Sequence, residues 1–171
     1  MTNRTSVINL LRYEEGWRDR PYLDTEGYPT VGYGFKLGPK CPDPATCAKL
    51  YDFTLPQEAG DVWLSALLIK TYREMNEYPR IKAAIQACNP GDGPVWYNPR
   101  VAVLLSMAHQ MGVEGLNAFR QTLLNVAAHD WTQVETQMLK SRWASQTPKR
   151  ARRHAKQMCT GKWDPEYEVQ A

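Results

Sequence analysis

The 171-residue chain is 43% hydrophobic and 23% charged, with six tryptophans, nine tyrosines and a formal net charge of +3. Such a composition excludes a low-complexity or disordered chain and supports one compact unit, or two small lobes, around a sizeable core. The most apolar runs, VWLSALLI (62–69) and VAVLLSMA (101–108), are short against the roughly 20 residues of a membrane span, so no stable membrane insertion is expected. Residues 1–16 hold no continuous apolar segment and include Glu14 and Glu15, unlike a secretory signal, so a soluble protein made in the cytoplasm is expected.

In chain order, residues 3 to 15 read as a helix. Val7, Leu10, Leu11 and Glu14 keep helical spacing, and Gly16 is a natural stop. Glu14 and Glu15 in its last turn oppose the helix dipole, a placement that often marks function or a cationic partner. YLDTEGYPTVGYGF (22–35) reads as a hairpin, with Asp24, Glu26 and Gly27 in its turn and β-favouring Tyr28, Thr30, Val31 and Tyr33 leading out. On this evidence a turn alone accounts for Asp24 and Glu26.

An irregular loop is expected over 36–53. Capping chemistry at Thr54 to Gln57 then opens a helix over 57–78, which Pro79 ends. At about 1.5 Å per residue that helix spans on the order of 33 Å, enough to connect two lobes. A short helix carries Ile81, Ala84, Ile85 and Cys88. Asn98-Pro99 caps an all-apolar central helix running to Met111 and stopped by Gly112. Helices around 114–118, 120–129, 131–140 and 148–159 follow, the last capped by Thr147 and closed by Gly161, before a loose acidic tail, DPEYEVQA. The expected fold class is α+β, in one domain over 1–171. A β-containing lobe covers about 13–60, a connecting helix 57–78, and a helical lobe 80–171 together with helix 3–12.

Four cysteines, Cys41, Cys47, Cys88 and Cys159, match no paired-cysteine zinc spacing. Free thiols are expected, with pairing of Cys41 and Cys47 open in an oxidising space. The three histidines lack metal-ligand spacing, so neither metal nor cofactor is expected, and His109 reads as structural. From Lys140 to Lys162 there are eight basic residues and no acid. This run suits an anionic surface such as lipopolysaccharide, a membrane or nucleic acid, although a solvated helix face is the commoner origin of such a run.

One of Glu14 or Glu15, with one of Asp24 or Glu26, forms a carboxylate pair suited to glycosidic cleavage. That chemistry needs one protonated acid for the leaving oxygen and one ionised group for charge or water. Spacing does not choose among the four.

LLRYEEGWRDRPYLDTEGYPTVGYG resembles the N-terminal catalytic segment of the T-even phage lysozymes, the phage-type muramidases. MAHQMGVEGLNAF is similar to their central helix and following turn, and KSRWASQTPKRARRHAKQMCTGKWD to their C-terminal signature. The resemblance implies a lysozyme-like fold and a peptidoglycan hydrolase that cleaves between N-acetylmuramic acid and N-acetylglucosamine with inversion. By position it implies Glu15 as proton donor, Asp24 as second carboxylate and Thr30 as the hydroxyl that holds the attacking water. It further implies Glu26, Gln110 and Arg142 as saccharide contacts, Arg150 as a partner of the catalytic glutamate, and Arg153 as a partner of Glu14. Trp143 is expected in the core or between lobes, with a sugar-stacking role open.

Two features depart from the family pattern. Phe35 stands where a histidine is usual, and segment 36–53 has no counterpart. The resemblance also implies a monomeric endolysin that waits in the host cytoplasm and reaches the periplasm through a membrane pore. An anionic envelope surface is a possible partner through the basic run, and nucleic acid is not expected as one. A chain that opens at Met1 without trimerising repeats points to a free endolysin over a tail-associated lysozyme domain. Chitin remains an alternative substrate, and a cationic binding protein an alternative function.

Overall fold

The computed structural model describes residues 5–91 and 93–168. The fold is α+β, and the chain divides into two compact units. One is Leu11–Leu67, and the other comprises residues up to Leu10 and from Leu68 onward. Helices α1 (Val7–Glu15) and α3 (Gln57–Asn76) carry the chain from one unit to the other. Residues 3 and 4 of the expected first helix lie outside the described residues.

After α1, the Leu11–Leu67 unit holds a three-stranded antiparallel sheet of β1 (Arg18–Leu23), β2 (Pro29–Gly32) and β3 (Phe35–Lys36), in the order β1-β2-β3. The expected hairpin is therefore extended by a third strand. The register pairs Leu23 with Pro29, Tyr22 with Thr30, and Thr30 with Lys36, with an irregularity between Arg18 and Tyr22. A short helix, α2 (Pro44–Leu50), follows in the segment expected to be irregular. Asp43 caps it by accepting from Thr46 N, and Pro44 occupies its first turn. Helix α2 packs on β1 and buries Cys47.

Trp17, just past α1, fixes much of this unit. Its ring lies 4.8 Å from that of Tyr33 and against Gly60 of α3. Gly32 needs glycine twice over. Its φ is +65°, and a Cβ there would fall 2.9 Å from the Phe35 ring and 3.1 Å from Trp17. Phe35 in turn stacks on Trp63 at 4.4 Å.

In the other unit, α4 (Pro79–Cys88) is followed by α5 (Pro99–Asn117), whose Val101–Ala108 stretch is buried throughout. Asn98 caps α5 by accepting from Arg100 N at 3.0 Å and Val101 N at 3.1 Å. Gly112, at φ 79° and ψ 160°, is non-helical and breaks α5 into two segments, at the place where the sequence predicts the central helix to stop and a short helix to follow. Then come α6 (Arg120–Ala127), α7 (Trp131–Leu139), α8 (Arg142–Gln146) and α9 (Pro148–Thr160). Helix α5 packs on α4 and α9, α6 on α4 and α7, and α9 on α7 and α8.

Arg100 donates to the Met158 and Cys159 carbonyls at 2.8 and 3.0 Å, placing a cation at the C-terminal end of α9. The tail is anchored rather than loose as far as Glu168. Pro165–Tyr167 form a 3-10 turn, and Tyr167 is buried with its hydroxyl 3.2 Å from His154 Nδ1. The fully buried His154 ring also meets Ser106 Oγ at 2.8 Å. Residues 169–171 lie outside the described residues.

The contact between Trp17 and Gly60 leads to a prediction. Helix propensity alone favours Gly60→Ala by about 1 kcal/mol. A methyl at this position would strike the Trp17 ring, and overpacking costs about 1–3 kcal/mol. A net loss of stability is therefore expected in chemical denaturation. Gly91→Ala, which meets open space, should stay within about 0.5 kcal/mol of the parent.

Candidate active site

Glu15 is the last residue of α1, and Gly16, at φ +68°, turns the chain out of the helix. One turn earlier, Arg12 makes a two-pronged ion pair with Asp61 of α3. Nε donates to Oδ1 at 2.9 Å, and a second guanidinium nitrogen meets Oδ2. The Tyr33 hydroxyl donates to Asp61 Oδ1 at 2.9 Å and accepts from Gln57 Nε2 at 3.0 Å. Burial pushes the Tyr33 phenol above its ordinary range, so it remains a neutral donor. This network joins the C-terminal half of α1, the start of α3 and the end of β2. Glu15 itself is half-buried.

Asp24 follows β1 directly. Its N–H donates to Tyr28 O at 2.9 Å, and its carbonyl accepts from Gly27 N at 3.0 Å. Its side chain continues the same turn, with Oδ1 accepting from both Glu26 N and Tyr28 N at 2.9 Å. The other oxygen, Oδ2, lies 3.9 Å from Lys36 Nζ, and the side chain is 22% exposed. The Tyr28 N–H, then the Glu26 N–H and Lys36, hold the Asp24 carboxyl below the ordinary aspartate range, against partial desolvation.

Thr30, 3% exposed, donates its hydroxyl to Tyr28 O at 3.0 Å. The Tyr28 backbone thus binds Asp24 through its N–H and Thr30 through its carbonyl. With its hydrogen committed, the Thr30 oxygen can act only as an acceptor. Glu26 is exposed at the turn, 3.3 Å from Lys36 Nζ. The β1–β2 turn and the start of β2 therefore gather Asp24, Glu26 and Thr30, in the unit where Glu15 ends α1.

Gln110, Arg142, Arg150 and Arg153 belong to the other unit. Gln110 is exposed on α5 and accepts from the Trp143 indole N–H at 2.9 Å. Trp143 is core, buried against Phe119 and His154. Arg142 is exposed at the start of α8 and lines a cavity of about 550 Å3 with Phe119, Arg120, Gln137, Lys140 and Trp143. Arg150 is buried, and Arg153 is half-buried and donates to the Tyr167 hydroxyl at 3.3 Å. The basic run consequently does not turn all its charges outward.

Cys41, Cys47, Cys88 and Cys159 are free thiols. Burial pushes Cys88 up to about 12, so it is not a thiolate. Among the described residues, no three His, Cys, Asp or Glu side chains gather closely enough to hold a metal ion.

The family model described as phage lysozyme matches residues 12–156. The chain belongs to the phage lysozyme family. Membership places it among the glycosidases that hydrolyse peptidoglycan. It is 32% identical over 166 residues to the pre-baseplate central spike protein Gp5 of Enterobacteria phage T4, covering 91% of this chain but only 28% of the spike protein. It is also 25% and 26% identical to probable T4-type lysozymes 1 and 2 of Dictyostelium discoideum, over 87% of this chain and 91% of each relative.

Reasoning from sequence missed the Arg12–Asp61–Tyr33–Gln57 network, the Tyr28 backbone link and Lys36. Each joins residues distant in sequence, or depends on strand register, and local patterns carry no mark of either.

The turn and charge roles of Asp24 separate by substitution. Asp24→Asn keeps an oxygen for the two N–H groups, whereas Asp24→Ala leaves them without an acceptor and should lower Tm by about 2–6 °C further. Because the folded-state value is depressed, the ionised carboxylate adds stability above the ordinary aspartate range. That contribution is lost as pH falls through the lower folded value. The Tm gap between parent and Asp24→Asn should therefore narrow in acid, as scanning calorimetry across pH would reveal.

Proposed function

We propose that the chain cleaves the β-1,4 bond between N-acetylmuramic acid and N-acetylglucosamine in peptidoglycan, with inversion at the anomeric carbon. The observation that carries this reading is a backbone-held Asp24, its carboxyl kept below the ordinary aspartate range by the Tyr28 and Glu26 N–H groups, in the same unit as the half-buried Glu15 at a helix end.

In this mechanism, Glu15 gives its proton to the leaving glycosidic oxygen as the bond to the anomeric carbon breaks. A water on the opposite face attacks that carbon, assisted by the Asp24 carboxylate, which takes up its proton and supports the developing positive charge. The Thr30 oxygen, restricted to accepting, orients that water through one of its hydrogens. Glu26, Gln110 and Arg142 are proposed saccharide contacts, and Arg150 and Arg153 supporting cations, on the strength of resemblance to the family. The whole chain is proposed to act as one monomeric domain without metal or cofactor.

An endolysin role is proposed, in the host cytoplasm first and at the wall after a membrane pore opens. The exposed Lys149, Arg152 and Lys156 support a further weak contact with the anionic envelope. Such a contact should weaken with added salt. The similarity to the T4 central spike protein supports a second reading, a lysozyme carried on the phage particle. Mass spectrometry of purified particles would separate the two.

The activity is tested by digesting purified peptidoglycan with the parent and with Glu15→Gln, both checked for folding by circular dichroism. Muramic-acid reducing ends are expected from the parent. The variant should lose at least about 100-fold, in keeping with the loss of a general acid. A variant that cuts as well as the parent refutes the role of Glu15, and a parent that cuts chitin but not peptidoglycan refutes the substrate.

A further inference from the structure

We propose that Lys36 is a positioning residue for the reaction, its ammonium lying by the carboxylates of Asp24 and Glu26 and keeping Asp24 oriented and charged while leaving its outer oxygen open to water. The inference rests on Asp24 acting as the ionised carboxylate.

Lys36 touches the candidate catalytic turn on three sides. Its Nζ lies 3.3 Å from Glu26 Oε2, 3.9 Å from Asp24 Oδ2 and 3.8 Å above the Tyr28 ring. The last contact bears on the residue whose N–H binds Asp24 Oδ1 and whose carbonyl holds Thr30. The backbone secures the placement. Lys36 stands opposite Thr30 in the β2–β3 ladder, and the next residue, Leu37, donates to Pro29 O at 2.8 Å.

The distances decide what Lys36 can do. Asp24 Oδ1 already accepts two N–H bonds, which leaves Oδ2 as the oxygen available for water. At 3.9 Å the ammonium is beyond hydrogen-bonding reach of Oδ2. It therefore favours negative charge on that oxygen without occupying its lone pairs. Glu26 acts oppositely, since a second negative charge on the turn disfavours ionisation of Asp24. By pairing with Glu26, Lys36 offsets that repulsion as well.

Other charges surround the turn. Lys40 lies 5.1 Å from the Tyr28 ring centroid. Strand β1 carries exposed Arg18, Asp19 and Arg20, α2 packs on β1 with exposed Lys49, and Glu15 closes α1. Among the described residues, Lys36 is the cation within 4.0 Å of Asp24. Because the Lys36 side chain is 52% exposed, screening keeps the effect modest.

A pH profile of kcat/KM on peptidoglycan separates this role from a surface ion pair. Four proteins are compared at low ionic strength: parent, Lys36→Met, Lys36→Arg and Asp24→Asn, with circular dichroism as a check on folding. Lys36→Met keeps the apolar stem and removes the charge. Its acid limb is expected to move up by about 0.2–0.7 pH unit, with Lys36→Arg restoring the parent profile and about 0.5 M salt shrinking the difference. A Lys36→Met profile that superimposes on the parent overturns the proposal, as does a Lys36→Arg profile displaced equally. Asp24→Asn identifies which reading failed. If it remains fully active, Asp24 is not the ionised carboxylate. If it is inactive while the Lys36 profiles coincide, only the role of Lys36 falls.

Discussion

The Arg12–Asp61 ion pair is the constraint on which the candidate site depends. Helix α1 must end where it does for Glu15 to be presented, and two acids at a helix C-terminus are unfavourable beside its dipole. A cation one turn earlier, fixed by two bonds to α3, offsets that placement and locks the orientation of the helix end. Tyr33 and Gln57 complete the hydrogen bonding of Asp61 and Tyr33, so the partly buried charges are paired rather than stranded. Removing one partner alone leaves the other uncompensated, which is why such a network specifies geometry more than it adds stability. Trp17 packs on the Tyr33 ring of this network and against Gly60, the residue before Asp61.

The Asp24 turn shows how structure and chemistry share one residue. Two backbone N–H groups organise the loop and stabilise the ionised carboxylate at once. The same bonds that make Asp24 a turn residue thus suit it to manage charge and water. Competition between folding and function is small here. It is greater at the end of α1, where the carboxylates oppose the helix dipole and lie half-buried.

Much of the fold was legible in the sequence because capping and breaking residues mark helix ends. Pro79, Asn98-Pro99, Asp130, Thr147-Pro148 and Gly161 all lie at or beside observed boundaries. Helices α2 and α8 were missed because seven and five residues are too few for a periodic signal, although Asp43 and Ser141 are ordinary caps. The anchored tail was missed because its fixing point, the pair of Tyr167 with His154, lies across a sequence gap. Within the candidate site, the turn was readable from Asp24 and Gly27, but periodicity left Glu14 and Glu15 equivalent. Family resemblance chose between them. Lys36 stayed hidden because its position opposite Thr30 is set by strand register.

The charge state of Asp24 is the claim on which the mechanism turns, and it can be read directly. A carbon-13 NMR titration of the Asp24 carboxyl in the intact protein, assigned by loss of the signal in Asp24→Asn, reports it without reference to activity. The account predicts a carboxyl that stays ionised through the ordinary aspartate range and titrates only below it. A carboxyl that holds its proton toward neutral pH would make Asp24 a proton donor, and would contradict the division of labour between Asp24 and Glu15.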